Sequence, residues 1–267
     1  MSGGDLFVTS WGQGPDVVFL HGLGGSSRYW EPLAAASTGY RATAPDLLGF
    51  GRSPSPADAR YDVDSHLAAL APHVPAKAVV VAHSAGAILA AALAARRPDS
   101  VASLLLIGLP AYPDEAAARR GIGGLGLLAR LTVENSPAAN LLCETMCRFR
   151  PLAIALAPWV VRDLPRSIAS DGTRHTWVSY SRTLQRVVVE HRAADDLLAA
   201  PMPVTLLHGR NDRAAPMAFV ESLVERSGGG ARPAPRLVVV DGDHHLAIRC
   251  PKVVAEILAA TVAEGTT

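Results

Sequence analysis

Short apolar runs of strand length, each followed by a turn signal, constrain this chain more than any other feature. They fall at residues 17–20, 78–82, 104–107, 204–207 and 237–240, with a fainter one at 41–45. Each is about the length of a strand buried on both faces. Helix-like stretches lie between several of them. One covers 85–97 and stops at Pro98, one covers 217–226 ahead of Gly228, Gly229 and Gly230, and one covers 253–262. Strand and helix in alternation predict an α/β fold, a mostly parallel twisted sheet with helices on both faces. Residues 110–203 break the alternation. They show no clear strand and carry helix-forming pieces separated by Pro137, Pro151, Pro158 and Pro165. The expected organisation is a core of 1–109 and 204–267 with a helical cap or lid, 110–203, over the carboxyl edge of the sheet.

Composition narrows the functional classes. The formal net charge is +1 over 267 residues, which gives no reason to expect nucleic acid or an anionic membrane as a general partner. Cys143, Cys147 and Cys250 are too few for a disulfide framework. Cys143 and Cys147 share one face of a helix, but two ligands do not close a zinc site and no nearby His completes one. They read as buried apolar thiols, and neither a metal nor an organic cofactor is expected. The opening residues hold no basic stretch followed by an apolar one. The longest apolar run, 85–95, is short of the roughly 18 residues of a membrane span. A cytoplasmic protein without a membrane span is the expectation.

The chemistry sits at strand ends. Ala82-His83-Ser84-Ala85-Gly86 follows one strand and opens a helix, the strand–turn–helix context of a nucleophile elbow. The turn is sharp, so small residues must flank the serine; Ala82 stands where the pattern prefers glycine. A serine there needs a base, and the base needs an orienting carboxylate. Asp212 lies just past the 204–207 strand; His244 and His245 lie just past the 237–240 strand. Loops that leave the carboxyl edge of a parallel sheet can converge, and the order Ser, Asp, His is one that hydrolases use. A second glycine-rich loop, His21-Gly22-Leu23-Gly24-Gly25, follows the 17–20 strand. It lacks the Gly-Lys-Ser/Thr ending and the Gly-x-Gly-x-x-Gly spacing of phosphate loops.

With these motifs the chain resembles the α/β-hydrolase superfamily over residues 5–110 and 200–262. The resemblance favours His244 as the base, because the family's catalytic histidine typically precedes a proline by seven, and Pro251 stands there. His245 then becomes a pocket-wall or supporting residue. The resemblance also implies an oxyanion hole from the backbone N–H groups of Leu23 and Ala85, and a structural role for the loop from Asp46 to Ser53. A serine in place of an aspartate at the elbow argues against epoxide hydrolase and dehalogenase chemistry. The implied function is a serine hydrolase acting on a small acyl substrate, a carboxylic ester or lactone first. Thioester hydrolysis, carbon–carbon hydrolysis and acyl transfer use the same triad, and a ligand-binding receptor on this fold is the reading from another class. Met146, Phe149, Trp159 and Trp177 in the 110–203 segment are candidates to line an apolar pocket. Its arginines are expected to be mostly solvated or paired, with Arg148 or Arg150 the candidate to meet an acidic substrate.

Overall fold

The structure, a computed structural model, describes residues 5–162, 164–227 and 234–265. The glycines at 228–230 that read as a helix stop, and the first four residues of the chain, lie outside the described residues. Seven strands form one sheet: β1 (Val8–Trp11), β2 (Asp16–Leu20), β3 (Arg41–Pro45), β4 (Ala78–His83), β5 (Val101–Ile107), β6 (Val204–Gly209) and β7 (Arg236–Val240). Their order across the sheet is β1-β3-β2-β4-β5-β6-β7. Only the β1–β3 pairing is antiparallel; the other five are parallel.

The apolar runs are explained by burial on two sides. Val18, Leu20, Val80, Ala82, Leu104, Leu106 and Leu206 join one core cluster. Their neighbours Val17, Phe19, Val79, Val81, Leu105, Ile107 and Leu207 join the other. Successive side chains of a strand point to opposite faces, so both parities must be apolar when helices cover both faces. One face carries α2 (Val63–Leu70) and α3 (Ala85–Arg96); the other carries α1 (Glu31–Ala36), α12 (Leu246–Arg249) and α13 (Pro251–Gly265). In α3 the residues from Ala85 to Ala94 are all buried, and six of those ten are alanine. Small side chains let this helix lie close against the sheet.

Between β5 and β6 the chain is helical: α4 (Glu115–Gly123), α5 (Leu127–Val133), α6 (Pro137–Arg148), α7 (Arg150–Val160), α8 (Arg166–Asp171) and α9 (Trp177–Thr183). A π-helical stretch, Leu184–Val189, follows α9, and α10 (Ala193–Ala199) comes last. Helix α10 packs on α3, and its Ala193, Ala194 and Leu197 belong to the sheet-face cluster. It therefore acts as the crossover helix between two parallel strands. The earlier segments reach the core through buried apolar side chains, among them Ala118, Ile122, Val133, Ile168 and Val187, and through a few buried polar contacts. Ser26 Oγ donates to Asp171 Oδ2 at 2.8 Å, Ser179 Oγ donates to the Gly49 carbonyl at 2.9 Å, and Phe50 and His175 form an antiparallel bridge. Helix α11 (Met217–Ser227) joins β6 to β7. Among the described residues no helix is long and apolar enough to cross a membrane.

Burial holds several histidines neutral. His66, His175, His208 and His245 are each pushed down to about 4, chiefly by desolvation. In the unfolded chain such groups titrate near 6.5. Below that pH the unfolded state binds more protons than the folded one, so stability is full above about 6.5 and is lost as pH falls toward 4. The melting temperature is expected to drop across that window, and His66→Gln should make the drop shallower; thermal melts from pH 7.5 to 4 check both.

Candidate active site

The sheet is stitched beyond its strands at the carboxyl edge. The Ser84 N–H donates to the Ile107 carbonyl at 3.0 Å, and the Gly108 N–H to the Leu207 carbonyl at 2.9 Å. The Arg210 N–H donates to Val240 at 2.8 Å, and the Asn211 N–H to Gly242 at 2.9 Å. These bonds align the ends of β4, β5, β6 and β7, so residues far apart in sequence meet over one edge.

Ser84 sits between β4 and α3 at φ 53°, ψ −122°. A non-glycine residue in that region costs on the order of 1–3 kcal/mol and is held there by its surroundings. The surroundings are tight. A Cβ on Gly86 would come 2.5 Å from the carbonyl oxygens of Leu20 and His21, and one on Gly22 would come 3.0 Å from the Ser84 Cβ. Glycine lets α3 cross β2 at that closeness.

The Ser84 hydroxyl lies 2.9 Å from His244 Nε2, and His244 Nδ1 lies 2.8 Å from Asp212 Oδ2. An ionised carboxylate only accepts, so His244 Nδ1 carries the proton and Nε2 is free to accept from the serine. The other oxygen of Asp212 accepts from the N–H groups of Ala214 at 2.8 Å and Ala215 at 3.0 Å. Burial opposes ionisation of Asp212, but the bond from His244 and those two N–H groups outweigh it, and its carboxyl sits below the usual range. Leu23 is half-buried and packs against the core beside the His21-Gly22 turn, and Ala85 is buried at the start of α3. Among the described residues neither of their N–H groups has a hydrogen-bond acceptor.

Three further features were not assigned from sequence. Gly108, at φ +57°, follows β5, and a Cβ there would lie 3.0 Å from both Asp212 Oδ2 and His244 Nδ1. Its only trace in the sequence is a glycine directly after a strand. Gly108→Ala is therefore expected to strain the turn by about 1–2 kcal/mol and to displace the Asp–His pair. That displacement should lower kcat by about 10²-fold, read from steady-state kinetics beside a thermal melt. The second feature is His83. It is buried, stacks on Tyr29 at 4.5 Å, and places Nε2 2.8 Å from the His244 carbonyl. As that carbonyl accepts, His83 donates from Nε2, which fixes the backbone of His244. Burial, followed by the nearby histidines His244 and His245, drives its pKa well below the ordinary value, so it stays neutral. The third is Tyr112, whose hydroxyl donates to the Ala214 carbonyl at 2.9 Å and steadies the loop under Asp212.

His245 packs beside His244 with ring centroids 5.6 Å apart, and beside His83 at 5.7 Å. His21 is buried and structural. Its Nδ1 donates to the Gly22 carbonyl at 2.8 Å and its Nε2 accepts from the Leu47 N–H at 2.9 Å. In the next loop Asp46 accepts from the N–H groups of Ser27 at 2.5 Å and Arg52 at 2.8 Å. The apolar residues singled out in the insertion differ in exposure. Phe149 is 55% exposed and Trp159 65% exposed, so both meet solvent; Met146 and Trp177 are half-buried. Arg148 is exposed, whereas Arg150 Nη2 donates to the His175 carbonyl at 2.9 Å. Cys143 is buried and Cys147 Sγ points at that same carbonyl, 3.1 Å away.

Comparison with known proteins places this geometry. Residues 17–257 match the model of the alpha/beta hydrolase family. A pimeloyl-[acyl-carrier protein] methyl ester esterase from Methylococcus capsulatus is 30% identical over 84% of this chain and 87% of its own length. "Probable lysophospholipase BODYGUARD 5" from Arabidopsis thaliana is 27% identical over 86% of this chain; the match spans only 57% of that longer protein. Among solved structures, E-2-(acetamidomethylene)succinate hydrolase superposes with a TM-score of 0.74 at 19% identity, covering 97% of this chain and 95% of its own. A thermophilic esterase from Thermogutta terrifontis superposes with a TM-score of 0.70 at 22% identity, covering 98% and 94%. With the parallel sheet, the elbow at the end of β4 and a match over most of its length, the chain belongs to the alpha/beta hydrolase family.

Proposed function

We propose that the protein is a serine hydrolase that cleaves a carboxylic ester or lactone through an acyl-enzyme. The observation that carries this reading is the continuous hydrogen-bonded chain from Ser84 through His244 to Asp212, with Ser84 held at a strained elbow. Ser84 Oγ attacks the substrate carbonyl while His244 Nε2 takes its proton. His244 then gives that proton to the leaving oxygen, and water, deprotonated by the same nitrogen, releases the acid. Asp212 stabilises the imidazolium that forms between these steps. The Leu23 and Ala85 N–H groups, with no partner of their own, donate to the oxygen that becomes negative in the tetrahedral intermediate. The helices between β5 and β6 act as a cap over this edge. The esterase named among the relatives supports the ester over the thioester, carbon–carbon and acyl-transfer variants of the same mechanism.

The test is a fluorophosphonate probe followed by a turnover screen. Covalent labelling is expected at Ser84 and absent in Ser84→Ala, with p-nitrophenyl esters or lactones turned over faster than acyl-CoA thioesters and vinylogous diketones. A folded protein that neither labels nor turns over any of these is a ligand-binding member of the fold, and the proposal fails.

A further inference from the structure

Among the described residues thirteen large apolar side chains are exposed, and eleven of them lie between Leu125 and Val161. Eight of the eleven sit on three consecutive packed helices. Leu127 and Leu128 are on α5, Leu141 and Leu142 on α6, and Leu152, Leu156, Trp159 and Val160 on α7. In α7 the spacing of 152, 156 and 159–160 sets these residues on one helix face, while Ala157 on the opposite side is buried. The helix is thus apolar on both sides, one against the protein and one against solvent. Concentrated apolar exposure of this kind marks an interaction surface.

The charge around it identifies the partner. Residues 119–166 hold seven arginines against three acids, in a chain whose whole net charge is +1. Arg130 pairs with Glu134. Arg120, Arg148, Arg162 and Arg166 are exposed, and among the described residues none of these four pairs with a carboxylate. Arg166 lies over the Trp159 ring at 5.8 Å. A second copy of this chain would set the patch against itself and oppose these unpaired guanidinium groups with their own images. A lipid surface demands no complementary shape. It takes up large apolar side chains and meets guanidinium groups with headgroup phosphates. The small net charge of the whole chain averages this local asymmetry away.

We propose that the outer face of α5, α6 and α7 docks on an anionic lipid–water interface. The experiment is co-sedimentation of the full chain with vesicles of phosphatidylcholine containing about a third phosphatidylglycerol, and with pure phosphatidylcholine. The expected result is stronger binding to the anionic vesicles, weakened by salt. Leu156→Glu/Val160→Glu should lower that binding at least about tenfold. Arg148→Ala and Arg162→Ala should each cost about fivefold on anionic vesicles and little on neutral ones. Circular dichroism and thermal melts establish that each variant is folded; the arginine variants decide the question if the double glutamate variant is not. Lipid binding is read without turnover, so it stands or falls separately from Ser84. No sedimentation with anionic vesicles at low salt overturns the proposal. So does equal binding by the parent and the folded variants, or a dimer in sedimentation velocity that the same substitutions dissolve.

Discussion

Ser84→Ala is expected to abolish turnover, with kcat falling about 10⁴- to 10⁶-fold while the fold stays intact. Alanine removes the one oxygen within reach of His244 Nε2 and changes nothing else at the elbow. The residual rate would come from the backbone donors and from substrate binding. Stability should move little. Alanine shares the strain of a positive φ, and the lost hydrogen bond is worth about 0.5–1.5 kcal/mol. Kinetics on the best ester of the screen, with a melting curve, separate a chemical loss from an unfolded protein. Near-parental kcat in the folded variant would place the attacking atom elsewhere.

The two adjacent histidines should respond in opposite ways. His244→Ala is expected to cost about as much as Ser84→Ala, because members of such a unit fail together. His245→Ala should stay within about tenfold of the parent: its ring packs behind His244 and His83, and neither of its nitrogens is placed on Ser84 or Asp212. Paired kcat measurements decide between them. Equal losses, or the reverse order, would transfer the role of base to His245.

What the sequence disclosed follows from physical rules of unequal strength. Strands β2, β4, β5 and β6 were legible because burial on two faces leaves their positions mostly apolar, and the edge strand β7 because 237–240 is a continuous apolar run. Strand β1 was not: Val8–Trp11 is four residues long at the sheet edge, with two of them exposed, and such a segment looks like loop. Its Trp11 nevertheless stacks on Phe19 at 5.4 Å. Ser84, Asp212 and His244 could be picked out because each follows a strand end, and the fold brings these three into hydrogen-bond contact. Gly108 could not, since its importance lies in what a Cβ would strike across the chain. Phe149 and Trp159 misled for a related reason. Apolar residues on both sides of α7 do not reveal which side meets the protein; Trp159 is on its exposed side, and Phe149 is exposed just before the helix begins.

The crossover from β5 to β6 is closed by α10 packed on α3, so the helices before α10 are not required to complete the sheet. No member of the Ser84–His244–Asp212 chain lies within them. Their buried polar attachments to the core include Asp171 to Ser26 and Ser179 to Gly49. The segment is therefore a cassette. Exchanging it would exchange the surface the protein presents, provided a donor segment keeps those two anchors, the Tyr112 bond to Ala214, and the buried Leu184, Val187, Val188 and Val189. Chimeras joined just after Gly108 and just before α10 should fold with the host's sheet when those contacts are kept, which makes the two junctions the natural place to change the surface this protein presents.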